Sequence, residues 1–219
     1  MTTRQVVLLV GSAKAAGRST SEALAKYLAE RFARSGAAVS VFPVNRSRRA
    51  AEDARLIAAV DGADLFMVVT PLYVDSLPYL VTRSLELIAG RQLQGRRRVA
   101  ALINCGFPEA AQCDTALAIL ECFAQRAGFE WAGGLALGGG ASIDGHSLER
   151  LGGLTRHVRR GLDQAAEALQ RGEPIPPAAV AELGKPMMPA PIYTAIANLG
   201  WRWQAARHGV HRHLKERAY

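Results

Sequence analysis

Five times between residues 5 and 171 the chain passes from a short, largely apolar run into a longer segment with helical periodicity. That alternation leaves few architectures open. Gln5–Val10 is apolar after its first residue and stops at Gly11, as a strand buried on both faces would. Ser19–Arg34 follows with Leu24, Leu28 and Phe32 along one helix face and Ser35-Gly36 as a stop. Ala38–Phe42 is β-like, and a polar stretch, Asn45–Ala51, leads to a helix near Glu52–Val60. Leu65–Thr70 reads as a strand ended by Pro71 and Leu77–Ala89 as a helix, with a turn at Gly90–Gly95. Val99–Ile103 and Asp114–Ala127 form the fourth pair. Trp131–Leu137, a glycine-rich loop at Gly138–Gly145 and a helix over Leu151–Arg171 complete the fifth.

Consecutive strand–helix units build a parallel sheet, because each crossover is right-handed and carries its helix onto a sheet face. The expected fold is an α/β, doubly wound, five-stranded parallel sheet with helices on both faces, in the common order 2-1-3-4-5. Ligands of such sheets bind at the carboxyl ends of the strands, where the strand order reverses. The loops that converge there are Gly11–Arg18, Pro71–Ser76 and Asn104–Ala110.

The first of these carries an anion-binding composition. Gly11 and Gly17 permit tight turns, and Ser12, Ser19, Thr20 and Ser21 supply hydroxyls. Lys14 and Arg18 add positive charge ahead of a helix whose first-turn amides have no intrahelical partner. Capping by Ser19 alone does not call for four hydroxyls, so a phosphate site is expected. The dinucleotide fingerprint G-x-G-x-x-G is absent. A Walker A loop is a near miss: the glycines are one residue too far apart, Arg18 replaces the lysine, and Thr70-Pro71 offers no aspartate for magnesium.

The three loops together resemble the NAD(P)H-dependent FMN reductase branch of the flavodoxin-like superfamily, over residues 4 to about 170. The residues that carry the resemblance are Gly11–Ser21, Thr70-Pro71-Leu72-Tyr73-Val74-Asp75-Ser76-Leu77-Pro78 and Asn104-Cys105-Gly106-Phe107-Pro108-Glu109. The resemblance implies that Ser12, Lys14, Arg18, Ser19, Thr20 and Ser21 hold the phosphate of FMN. Pro71, Leu72, Tyr73 and Val74 would line the ribityl chain and ring, and Asn104, Gly106 and Phe107 would meet the ring from the next loop. It implies NADPH or NADH as donor, a quinone, azo or nitro compound, free flavin or another small acceptor, and a homodimer or homotetramer. Arg18, where small polar residues are more usual, and the extension after residue 171 depart from the pattern. A flavodoxin-like electron carrier or redox-sensing flavin protein without turnover is the competing expectation; such carriers are usually acidic, and this chain is not.

Composition sets further bounds. The net charge is +8, which suits anionic partners such as nucleotides, but the arginines are scattered and nucleic-acid binding is not expected. Cys105, Cys113 and Cys122 form no ligand-spaced cluster, and Cys105 reads as a small hydrophobe within the expected site. The Val6–Val10 run is too short for a signal-peptide core, so a reducing cytoplasmic setting is expected.

Residues 1–171 are thus read as one FMN-binding domain, and 172–219 as a Pro-rich linker followed by an amphipathic, basic, helical extension. Six prolines fall between Gly172 and Pro191. Beyond them, Ile196, Leu199, Trp201 and Trp203 precede Arg202, Arg207, Arg212, Lys215 and Arg217, a combination suited to packing on protein or to peripheral contact with an anionic membrane. His208, His211 and His213 lack metal-ligand spacing, and no metal is expected.

Overall fold

The computed structural model describes residues 2–15, 17–44, 50–91, 97–214 and 216. The polar stretch expected at 45–49 and the turn expected at 92–95 lie outside them, as do Ala16, Lys215 and Arg217. The strands are β1 (Gln5–Val10), β2 (Ala38–Pro43), β3 (Leu65–Pro71), β4 (Arg98–Asn104) and β5 (Glu130–Leu137). They pair in parallel in the order β2-β1-β3-β4-β5, as expected. The helices of this unit are α1 (Thr20–Arg34), α2 (Ala50–Asp61), α3 (Tyr79–Ala89), α4 (Asp114–Arg126), α5 (Arg156–Arg171) and α6 (Pro177–Gly184).

Strand alternation divides the core into two layers. Val6, Leu8 and Val10 of β1, with Leu65, Met67 and Val69 of β3, face Leu24, Leu28 and Phe32 of α1 and Val158, Leu162 and Leu169 of α5. Val7, Leu9, Phe66 and Val68 face the opposite way, toward Leu56 of α2, Val81 and Ile88 of α3 and Leu120 of α4. Both faces of the central strands are therefore covered, which is why they read as continuous apolar runs.

Two helices start later than the periodicity predicts. Pro78 precedes α3 and holds Leu77 out of helical geometry, so the helix begins at Tyr79. Gly152 and Gly153 are poor helix formers, and a 3-10 turn over Gly152–Thr155 precedes α5.

The larger difference lies after residue 171, where the sequence predicts a linker. The compact unit runs instead to Met187. Gly172 (φ 85°) ends α5, and the chain returns along β5, where the Ile175 amide bonds to the Ala132 carbonyl at 2.8 Å. A bulge in β5 receives it: two residues of β5 are passed where β4 passes one, between Trp131 and Gly134. At Gly133, φ is +109° and a Cβ would lie 3.0 Å from the Ile175 Cβ, so this position requires glycine. Then α6, opened by Pro176-Pro177, packs Ala179 and Leu183 into the α1/α5 layer. Prolines that read as a linker serve as helix-starting residues.

The second unit, Met188–Tyr219, contains α7 (Ala190–Arg207) and a 3-10 turn over His211–His213. Ile192, Ile196, Leu199, Trp201 and Trp203 are exposed, and the Arg207 guanidinium stacks over the Trp203 ring at 4.8 Å. No described helix is long and apolar enough to cross a membrane.

Leu183→Ala tests whether α6 belongs to the domain core. Removing this fully buried side chain is expected to lower unfolding stability by about 2–5 kcal/mol in urea denaturation. A change near zero would return residues 172–187 to the status of a linker.

Candidate active site

The site forms where β1 and β3 part to lead to loops on opposite faces. Gly11 follows β1 directly, and its amide continues the ladder by donating to the Val69 carbonyl at 2.8 Å. A Cβ at Gly11 would collide with the Thr70 side chain and with Val81 Cγ2, so only glycine lets the loop leave the sheet beside Thr70. The chain turns back at Gly17, whose amide donates to Glu22 Oε2 at 2.7 Å. Ser19 then caps α1: its hydroxyl accepts from the Glu22 amide at 3.4 Å. Ser12, Ser19, Thr20 and Ser21 are all buried around this helix start.

Three further loops close on it. The Thr20 hydroxyl donates to the Gly140 carbonyl at 2.7 Å, reaching the loop after β5. The Asn104 side-chain amide, at the end of β4, donates to Ser21 Oγ at 2.8 Å and to the Thr70 carbonyl at 3.1 Å. Backbone bonds join the loops in register: Leu72 N to Asn104 O at 2.8 Å, Cys105 N to Leu137 O at 3.0 Å, and Gly140 N to Cys105 O at 2.8 Å.

The result is a cleft of about 150 Å³. Ser12, Lys14, Ser19, Thr20 and Ser21 line it from the first loop, with Pro71, Leu72 and Tyr73 from the loop after β3 and Asn104 and Gly106 from the end of β4. Of the residues singled out in the sequence, Arg18, Val74 and Phe107 fall outside the lining. Arg18 is exposed, Phe107 is 57% exposed and Val74 is 96% exposed. Val74's position has a local cause. Tyr73–Ser76 is a tight turn closed by two backbone bonds, with Val74 (φ 49°) and Asp75 (φ 56°) both left-handed. A β-branched residue at such a φ is strained, and its side chain points into solvent.

Cys105, expected within the site as a small hydrophobe, also lines the cleft, as do Gly140 and Ala141, which were not predicted to. The glycine-rich composition of 138–145 was the available signal for the last two. Lys14 Nζ lies 4.0 Å from Asp144, a long exposed ion pair that leaves the lysine available to an anion. Among the described residues, no group of three or more His, Cys, Asp or Glu is placed to hold a metal ion.

This donor set fits the phosphate and ribityl chain of FMN. The first-turn amides of α1 have no intrahelical partner, serine hydroxyls surround them, and Lys14 supplies charge. Pro71, Leu72 and Tyr73 give the other end an apolar wall suited to a flavin ring. Fold and cleft together define a flavodoxin-like α/β protein with a cleft at the start of α1.

Comparison with known proteins agrees. Residues 4–123, more than half the chain, match the model of the NADPH-dependent FMN reductase family. No curated protein matches the sequence. Among solved structures, the apo form of an NADH:FMN oxidoreductase (EMOB) is 20% identical, covers 86% of this chain and 98% of its own, and has a TM-score of 0.59. A putative quinone reductase from Klebsiella pneumoniae is 13% identical, covering 79% of this chain and 87% of its own at a TM-score of 0.56. An NADPH-quinone reductase from P. pentosaceus is 14% identical and covers 76% and 97% at 0.55. At these identities the structures show a shared fold. The chain belongs to the NADPH-dependent FMN reductase family. It is a flavin oxidoreductase with FMN and NAD(P)H as its cofactors.

Gly11→Ala is expected to destabilise the protein by about 1–3 kcal/mol through the collision with Thr70 and Val81. Thermal unfolding reads this; an unchanged Tm would show that the loop leaves β1 by another path.

Proposed function

We propose that this protein oxidises NADPH or NADH in the cytoplasm and passes the electrons to a quinone, a free flavin or another small acceptor. The observation that carries this reading is the cleft itself, which pairs an anion cradle with an open apolar wall. When bound, FMN supplies the hydride acceptance and electron release on which such chemistry rests. The chain's own residues bind and orient. Ser12, Ser19 and the α1 amides hold the phosphate, assisted by Lys14. Asn104 keeps the β3 and β4 loops at fixed separation. Pro71, Leu72 and Tyr73 would give the flavin ring an apolar wall and exclude water from it. Names borne by structural neighbours, a quinone reductase and an NADH:FMN oxidoreductase, favour these two acceptor classes. Family membership and the exposed apolar residues Tyr73, Val74 and Phe107 beside the cleft support a homodimer or homotetramer.

The test is FMN titration followed by NADPH oxidation with and without a benzoquinone. Tight FMN uptake with quinone-dependent oxidation is expected. Uptake without oxidation would favour an electron carrier, and no uptake would end the reading. Lys14→Ala is expected to weaken FMN by about 1.5-fold to fivefold, as loss of an exposed ion pair does, and to leave riboflavin binding unchanged.

A peripheral membrane contact through the second unit belongs to the same proposal. Its exposed tryptophans sit beside Arg202 and Arg207, and residues 188–219 contain five Lys/Arg against the single acid Glu216. Such a segment favours an anionic interface. Co-flotation with phosphatidylserine vesicles is expected at low salt, and its loss in a chain ending at residue 187. Equal flotation of both chains would exclude the tail.

A further inference from the structure

Glu22 lies in the first turn of α1 and does not line the cleft, yet it holds the loop that does. Ser19 and Glu22 have the spacing of a capping box, and the Glu22 amide donates to the Ser19 hydroxyl at 3.4 Å. In such a box the glutamate side chain returns to the amide of the capping residue, here Ser19. Glu22 reaches two residues further back instead, where its Oε2 accepts from the Gly17 amide at 2.7 Å. The Ser19 amide is spared that bond, and among the described residues it donates to no backbone acceptor. It joins the amides of Thr20 and Ser21, which open the helix and have no intrahelical acceptor. Ser19, Thr20 and Ser21 all line the cleft, whereas Gly17 and Glu22 do not.

Gly17 is fixed from several directions. It turns the chain at φ 75°, and the Arg18 amide after it donates to the Ala15 carbonyl at 3.1 Å. The loop after β5 presses on it from the other side: a Cβ at Gly145 would overlap the Gly17 carbonyl oxygen and Arg18 Cα. The Thr20 hydroxyl holds that same loop through the Gly140 carbonyl. Against this packing, the Glu22 carboxylate supplies a charge-assisted bond, stronger than a neutral one, between the turn of the loop and the helix whose amides meet the cleft.

We propose that Glu22 is a positioning residue for the FMN phosphate, a role that rests on the FMN reading of the cleft. By taking the Gly17 amide outside the cleft lining, it sets the loop so that the Ser19, Thr20 and Ser21 amides stay free for the phosphate. The effect has the opposite sign to that of charge alone. A carboxylate repels a phosphate, so a Glu22 that acted only through its charge would weaken FMN, and its removal would tighten binding. A Glu22 that acts by position strengthens FMN, and its removal weakens binding. Riboflavin lacks the phosphate and reports neither effect.

The experiment measures FMN and riboflavin affinity by flavin fluorescence in the full-length protein and in Glu22→Gln, Glu22→Asp and Glu22→Ala. Glutamine keeps an acceptor at the same reach without the charge. Aspartate keeps the charge and its place at the helix start, but is one methylene short of Gly17. FMN is expected to bind Glu22→Gln within about twofold of wild type, and Glu22→Asp and Glu22→Ala about threefold to tenfold more weakly, with riboflavin unchanged throughout. In the flavin-free protein, hydrogen exchange of the Gly17 amide is expected to quicken in the aspartate and alanine variants and not in Glu22→Gln. Unchanged or tighter FMN binding in Glu22→Asp and Glu22→Ala overturns the proposal. So does equal weakening of FMN and riboflavin, which marks a loss of helix stability, or equal weakening of FMN in all three variants. Should Glu22→Ala fail to fold, Glu22→Asp decides. A wild-type protein that binds FMN no better than riboflavin overturns the phosphate reading of the cleft and this role with it; wild-type preference for FMN that the variants retain overturns the role alone.

Discussion

One buried amide organises this protein's working end. Asn104 closes β4 and donates from its side chain to Ser21 on α1 and to the Thr70 carbonyl near the end of β3. It thereby ties together three segments separated by more than thirty residues each. The place is where the sheet reverses its strand order and adjacent loops diverge to opposite faces. Together with the backbone bonds between these loops, this crosslink holds α1 to the ends of β3 and β4. In a buried setting both amide hydrogens need partners, and both have one. The arrangement is specific because any displacement of α1, β3 or β4 leaves a donor unpaired, at a cost of about 1–3 kcal/mol.

The two ends of the cleft are built on different principles. The proposed phosphate end depends on backbone direction: α1 points its first-turn amides and positive dipole end at the loop, with the buried serines around them. Little charge is required, which explains how Arg18 can stand in the loop and yet lie outside the cleft. The proposed ring wall depends on side-chain surface, from Pro71, Leu72 and Tyr73, beside the tight turn at Val74-Asp75. Backbone strain at Val74 is local, and it keeps that turn short enough for Tyr73 to remain at the cleft.

Period and composition made most of the fold legible. Strands β1, β3 and β4 are buried on both faces and therefore announce themselves as apolar runs, and the right-handed crossover rule leaves few orders for five such units. Residues 172–187 were misread because proline carries two meanings. It interrupts a helix from within and starts one from its first turn, and only the packing of Ala179 and Leu183 against the core distinguishes the two at Pro176-Pro177. The β5 bulge that accommodates Ile175 had a glycine pair, Gly133-Gly134, as its only trace.

Of the candidate site, the sequence by itself pointed to the anion loop, the two loops that meet it at the switch point and the residue types available for a flavin. These follow from local rules: where strands end, what caps a helix, which loops share one edge of a parallel sheet. Only the tertiary structure decided which of those side chains face inward. It turned Val74 and Phe107 outward and brought Gly140 and Ala141 in from the loop after β5. The physical reason is that side-chain direction in a loop depends on turn geometry and on contacts from distant segments. Neither leaves a period that the chain can display.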